Sequence, residues 1–162
     1  MNEPWLAAED LRMAYHTGKR HVDVLRGASL SVAGGELVAV TGPSGSGKTT
    51  LLNLLGSLDR PDAGRILWGG QEILGLAANA LSRLRNRSVG FIFQFHHLLA
   101  DFSALENVLM PARIAGADPL DSEKRARSLL ERVGLSGRTD HRPGELSGGE
   151  QQRVAVARAL MN

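Results

Sequence analysis

The stretch that most constrains this chain covers residues 36–56, ELVAVTGPSGSGKTTLLNLLG. Residues 37–40 form a short apolar run, the pattern expected of a parallel strand buried on both faces. A glycine-rich turn follows, made of Gly42, Pro43, Ser44, Gly45, Ser46 and Gly47. Lys48, Thr49 and Thr50 then head an apolar segment of helical period. The spacing fits the phosphate-binding loop G-x-x-x-x-G-K-[ST]. Gly45 and Gly47 allow backbone conformations closed to other residues, so successive N–H groups can converge on phosphate oxygens. Those groups sit at a helix N-terminus, where unpaired donors and the helix dipole favour an anion. Lys48 is placed to reach β- and γ-phosphates, and the Thr49 hydroxyl to ligate Mg2+. Strand, loop and helix in this order point to a nucleoside triphosphate site.

The length of 162 residues allows one domain with a sizeable core. Lys and Arg number 19 against 17 Asp and Glu, so the formal charge is only +2 and gives no argument for nucleic acid. Arg83, Arg85 and Arg87 are the densest basic group and read as a solvated helix face. With no cysteine, disulfides, thiol catalysis and cysteine-bound metals are excluded. The first ten residues carry acids where a signal peptide needs bases, and no apolar run approaches the roughly 18 to 20 residues of a membrane span. The chain is expected in the cytosol, or held at a membrane by a partner.

Residues 5–32 read as short strands over 6–14, 22–25 and 28–32, joined by a polar turn over 16–20 that holds Gly18. Tyr15, the only tyrosine, is either core filler or a flat face for an adenine. Gly34 and Gly35 turn the chain into the phosphate-loop strand. Residues 65–68 read as a strand, Gly69-Gly70 as a hairpin turn and 76–87 as a helix. Residues 89–93 are a second buried-type strand with Gln94 at its C-terminal end, the edge where open α/β sheets bind ligands.

Residues 95–145 look like a helical insertion. Ser103 and Glu106 have capping-box spacing, and Asp118-Pro119 suits the start of a helix that includes 123–133. His96 and His97 are adjacent, so they cannot share one face of a regular element and no metal site is expected there. LSGGEQQR follows at 146–153, with Ser147 and Glu150 forming a second capping box. Gly148 and Gly149 then occupy helical positions at about 1 kcal/mol each against alanine. A simple cap has no use for that cost, whereas a helix end that must approach a phosphate closely does.

The phosphate loop together with LSGGEQQR resembles the ATP-binding domain of ABC ATPases. Tyr15 and Gln94 match the positions of that family's adenine-stacking aromatic and Q-loop glutamine. Residues 91–111, FIFQFHHLLADFSALENVLMP, are similar to the subgroup that releases lipoproteins from Gram-negative inner membranes. Related exporter and cell-division ATPases share the general motifs. P-loop kinases and DNA-repair ATPases fit less well, since they lack this signature helix or interrupt it with long coiled coils.

The resemblance implies an α/β P-loop NTPase of the ABC type, with an N-terminal β-subdomain, a partial parallel core sheet and a helical subdomain. The expected organisation is 1–94 for the β-subdomain and phosphate-loop core, 95–145 for the helical subdomain and 146–162 for the signature helix. It assigns ATP and Mg2+ as cofactors. Tyr15, Gly42, Pro43, Ser44, Gly45, Ser46, Gly47, Lys48, Thr49, Thr50 and Gln94 would bind nucleotide, with Thr49 and Gln94 also serving the metal. Ser147, Gly148, Gly149, Glu150 and Gln151 would face the ATP of a second, head-to-tail subunit. Residues after Gln94 would line a groove for the permease, on the cytoplasmic side of the inner membrane.

The family continues past its signature helix into an apolar strand ending in Asp-Glu and a later strand with a switch histidine. No apolar run among these 162 residues ends in Asp-Glu, so the sequence reads as an N-terminal portion lacking the last third. No catalytic residue is expected within it. A nucleotide-binding chain that does not hydrolyse is therefore the alternative function.

Overall fold

In the computed structural model, which describes residues 4–162 apart from Lys19 and the side chains of His16, Thr17 and Arg20, a long hairpin comes first. Strand β1 (Leu6–Thr17) pairs antiparallel with β2 (Arg20–Val32). The three short strands expected here are thus two long ones, and Lys19, in the turn expected over 16–20, lies outside the described residues. Strand β1 also carries a bulge. Asp10 takes φ 47° and the ladder shifts between Ala8 and Leu11, so β1 continues while its inward face moves by one residue. Ala8, Leu11 and Met13 are all buried as a result. The displaced Asp10 N–H donates to Ser29 Oγ at 2.9 Å.

Strand β3 (Ala63–Trp68) pairs with the other edge of β1, placing Ile66 opposite Ala8. The two-residue strand β4 (Gln71–Glu72) follows the expected Gly69-Gly70 turn. The sheet order is β2-β1-β3-β4, antiparallel throughout. Helix α1 (Lys48–Leu55) is fixed at its C-terminal end, where the Trp68 indole donates to the Leu55 carbonyl at 3.1 Å. Leu11, Leu54, Ile66 and Ile73 are fully buried, each worth about 1.5–3 kcal/mol against exposure. These residues belong to one compact unit, Met1–Leu81; a second comprises Ser82–Asn162. The expected boundary after Gln94 falls inside the second unit.

Helix α2 (Ala78–Ser88) buries no side chain, as its arginine-rich sequence suggests. In the second unit, helices α3 (Ala104–Ala115), α4 (Pro119–Arg132) and α5 (Gly148–Ala159) pack on one another. Their shared core follows helical spacing: Leu105, Val108, Leu109 and Ala112 from α3, Ala126, Leu129 and Leu130 from α4, Val154 and Ala157 from α5. Ser103 accepts from the Glu106 N–H while the Glu106 carboxylate accepts from the Ser103 N–H. That backbone bond, with the Ser103 hydroxyl and nearby arginines, holds the Glu106 carboxyl below its ordinary range against the opposing pull of desolvation. Asp118 accepts from Leu120 and Asp121 ahead of α4, with Pro119 at the first helical position.

Two expectations are corrected. Residues 37–40 and 89–93 are not strands, and no parallel ladder occurs among the described residues. Leu37 is 99% exposed, Val38 and Val40 are also exposed, and Ile92 is 53% exposed. Apolar runs report that side chains favour burial; a strand also needs a partner backbone to complete its hydrogen bonds. None of the described residues supplies one to either run. The sheet that does form draws its ladders from β1 to β4 instead.

Candidate nucleotide-binding site

The phosphate loop is positioned by the first unit. Gly47 is the residue before α1 and takes φ 88°. A Cβ there would lie 3.0 Å from Val24 Cγ1 and 3.2 Å from the Val24 carbonyl, so glycine lets the loop rest on β2 in a left-handed conformation. Val22, two residues before Val24, is the register partner of Tyr15. The sheet therefore carries Tyr15 on the strand next to the one that supports the loop. Tyr15 is 40% exposed and its hydroxyl donates to Asp59 at 3.2 Å. It is not core filler.

The start of α1 differs from every capped helix in the chain. Ser103, Asp118 and Ser147 cap α3, α4 and α5 with side-chain oxygens, and each of those helices has an acid in its first turn. Gly47 offers no side chain, and the first turn of α1 holds no acid. Its terminal N–H groups and the positive end of its dipole have no negative partner supplied by the helix itself. Lys48 adds a cation at the same place. Its ammonium donates to the Gly42 carbonyl at 2.8 Å, the Pro43 carbonyl at 2.6 Å and Ser46 Oγ at 3.4 Å. The charge is thus folded over the loop rather than paired with a carboxylate. Ser44, Gly45 and Thr49 are exposed around it. This donor-only set fits a polyphosphate, and the exposed Thr49 hydroxyl fits an accompanying divalent cation.

The signature segment and Gln94 belong to the second unit. Ser147 accepts from the Glu150 N–H at 3.3 Å, while its own N–H and hydroxyl donate to Glu150 Oε2 at 2.8 Å each. The Ser147 backbone bond, then its hydroxyl, lowers the Glu150 carboxyl from its usual range. Gln151 donates to the Pro143 and Leu146 carbonyls at 2.9 and 3.1 Å. Glu150 and Gln151 therefore spend their polar groups on their own chain. Ser147, Gly148 and Gly149 are exposed. A Cβ on Gly148 would meet nothing within 4 Å, and one on Gly149 only the Arg153 guanidinium at 3.7 Å. Nothing in the described chain requires glycine at either position.

Gln94 is exposed at a bend after the irregular residues 89–93. Among the described residues no cluster of three or more His, Asp or Glu could hold a metal. Sequence reasoning missed Asp59 as the partner of Tyr15, and two residues whose partners are backbone carbonyls, Asn107 and Arg158. None belongs to a motif that would have marked it.

A family profile described as ABC transporter matches residues 25–162. The lipoprotein-releasing system ATP-binding protein LolD of Geobacter metallireducens is 54% identical over 156 residues, covering 96% of this chain and 69% of that protein. The protein of the same name from Chromohalobacter salexigens is 55% identical over 160 residues, covering 99% of this chain and 68% of its own length. The dimeric ATP-binding cassette MJ0796, in a post-hydrolysis state bound to ADP and Pi, superposes with a TM-score of 0.90 at 35% identity, over 97% of this chain and 69% of that one.

Proposed function

Because the chain belongs to the ABC transporter family, whose ATPases hydrolyse ATP, we propose that it acts as the ATP-binding subunit of a transporter that releases lipoproteins from the inner membrane. Its similarity to two LolD proteins supports the transported class. The observation that carries nucleotide binding is the uncapped, acid-free start of α1 beneath Lys48, in a chain whose other capped helices all carry acids. Phosphate oxygens take the place of the missing cap. Lys48 and the first N–H groups of α1 hold them, and Tyr15 stacks on the adenine. Mg2+, held by Thr49, would supply charge neutralisation on the phosphates.

The partner reading rests on Gly148 and Gly149. Their cost to the helix has no counterpart within the chain, so they leave room for a group from outside. That group is the γ-phosphate bound to a second subunit, in a head-to-tail pair; the dimeric cassette relative supports the arrangement. No helix among the described residues is long and apolar enough to cross a membrane. We place the protein on the cytoplasmic side of the inner membrane, engaged with the permease through the residues after Gln94.

A fluorescent ATP analogue titrated into the 162-residue protein tests the site. Binding is expected, with Tyr15→Ala weakening ATP and GTP alike by about tenfold and Tyr15→Trp retaining affinity, since stacking needs a π-face and no edge contact. Loss of melting temperature in Tyr15→Ala with affinity intact would return Tyr15 to a structural role.

Turnover by the same protein is expected to stay at background. The family resemblance calls for an Asp-Glu pair at the end of a core strand, and no Asp-Glu pair occurs in these 162 residues. Phosphoryl transfer depends on positioning and charge, so lacking those acids removes most of the rate. Phosphate release is the assay, with Lys48→Ala as the contaminant control. Steady release that disappears in Lys48→Ala would show that another acid does the work.

A further inference from the structure

The phosphate loop stands at the start of α1, and the far end of the same helix is tied to Tyr15. Helix α1 finishes at Leu55. The chain then turns back on it, with the N–H groups of Leu58 and Asp59 both donating to the Asn53 carbonyl, at 2.8 and 3.4 Å. Ser57 takes φ 54° within this turn and is buried. The Asp59 carboxylate divides its oxygens between two donors. Oδ1 accepts from the Arg60 N–H at 2.9 Å, which orients the carboxylate, and Oδ2 accepts from the Tyr15 hydroxyl at 3.2 Å.

The same turn grips the backbone of β1 beside Tyr15. The Asp62 N–H donates to the Arg12 carbonyl at 2.9 Å, and Asp62 Oδ2 accepts from the Ala14 N–H at 2.8 Å. The ladder between β1 and β3 has its last pair at Arg12 and Ala63, so the end of β1 that carries Tyr15 leans on this turn instead. Strand and ring thus have separate holders, Asp62 for the backbone and Asp59 for the hydroxyl. At 3.2 Å the Tyr15 bond is long for O–H···O, so it orients the ring more than it stabilises the fold. Orientation matters for a side chain that is 40% exposed, because packing alone leaves it other rotamers. With the hydroxyl committed to Asp59, Tyr15 offers a ligand its ring face.

We propose that Asp59 is a positioning residue: it holds the Tyr15 ring at a fixed place relative to α1, and so relative to the phosphate loop, before any nucleotide arrives. The proposal rests on the reading of Tyr15 as the face on which adenine stacks. A ring already ordered in the free protein does not have to be ordered on binding, and freeing it should weaken a nucleotide about fivefold. That loss falls on the base alone. A ligand with the phosphates but no base should not sense it.

The test uses the 162-residue protein in EDTA, so that no metal contributes. ATP and inorganic tripolyphosphate are titrated calorimetrically into wild type, Asp59→Ala, Asp59→Asn, Tyr15→Phe and the Asp59→Ala/Tyr15→Phe double variant. Asp59→Ala and Tyr15→Phe should each weaken ATP about fivefold, and the double variant no further, because both remove the same bond. Asp59→Asn keeps an acceptor for the hydroxyl and should stay close to wild type. Tyr15→Trp escapes the loss because the larger indole face compensates for the missing tether. Tripolyphosphate affinity should be the same in every variant. Tyr15 is the only tyrosine, so its χ1 couplings can be read alone; without ligand they should report one rotamer in wild type and an average in Asp59→Ala. A merely structural aspartate would lower the melting temperature and weaken ATP and tripolyphosphate together, which would overturn the proposal. Additive losses in the double variant, or unchanged ATP affinity in Asp59→Ala, would overturn it equally. Tyr15→Ala with ATP affinity intact would instead remove the stacking reading, and this inference with it.

Discussion

Replacing Lys48 with alanine is expected to weaken ATP binding by at least about 100-fold, equivalent to about 2.7 kcal/mol, while leaving the fold intact. The reasoning starts from what the lysine now touches. Its ammonium is held by two loop carbonyls and a serine hydroxyl, with no carboxylate paired to it among the described residues. The carbonyls of Gly42 and Pro43 lie in an exposed loop, so water can replace the lysine at little cost. A bound polyphosphate has no such substitute, because charge-assisted hydrogen bonds to a cation run at about 1.5–3 kcal/mol each. Lys48→Arg should not rescue binding, since a longer planar fork cannot sit over the same turn. Circular dichroism on both variants separates the effect from unfolding. Equal affinity in wild type and Lys48→Ala would remove the phosphate-loop reading.

The parts of this site that the sequence disclosed are those whose physics is local. Gly42 to Thr49 needs only the order strand-side residues, glycines, lysine, hydroxyl, and the loop and α1 formed where that order placed them. Ser103 with Glu106, Asp118 with Pro119, and Ser147 with Glu150 each act over three residues or fewer, and all three cap their helices as expected. Non-local pairing is where the reading failed. Residues 37–40 and 89–93 have the composition of buried strands, but composition says nothing about whether a second backbone lies alongside. The β1 bulge at Asp10 was equally hidden: residues 6–14 read as one unbroken strand, and nothing local marks the ladder shift or the Ser29 hydroxyl that holds it. Arg158 was invisible for the same reason. Its partners stand 61 and 62 residues away in sequence and are carbonyls, which every residue has.

The largest stability effect is expected at Asn107, a fully buried amide in α3. Its Oδ1 accepts from the Leu99 N–H at 2.8 Å, and its Nδ2 donates to the carbonyls of Leu99, Phe102 and Ser103 at 3.1, 3.0 and 3.0 Å. One side chain thus ties residues 99–103 to the helix that follows them, just before the Ser103 capping box. Its neighbour Val108 is packed in the apolar core, so an unpaired amide here has no route to water. Asn107→Leu fills a similar volume but strands the Leu99 N–H and removes the donor shared by three carbonyls. Each orphaned buried group costs about 1–3 kcal/mol, reduced where the loop can open to water, which puts the total near about 3 kcal/mol. For a chain of this length that corresponds to a fall of about 10 °C in melting temperature. Asn107→Asp should fare no better, since it keeps the acceptor for Leu99, loses all three donations and buries a charge. Nucleotide affinity at low temperature should be unchanged in both variants, because Tyr15 and the phosphate loop belong to the other compact unit. A fall of less than about 2 °C in Asn107→Leu would mean that the loop before α3 is held by its apolar contacts, and that the buried amide contributes little beyond filling space.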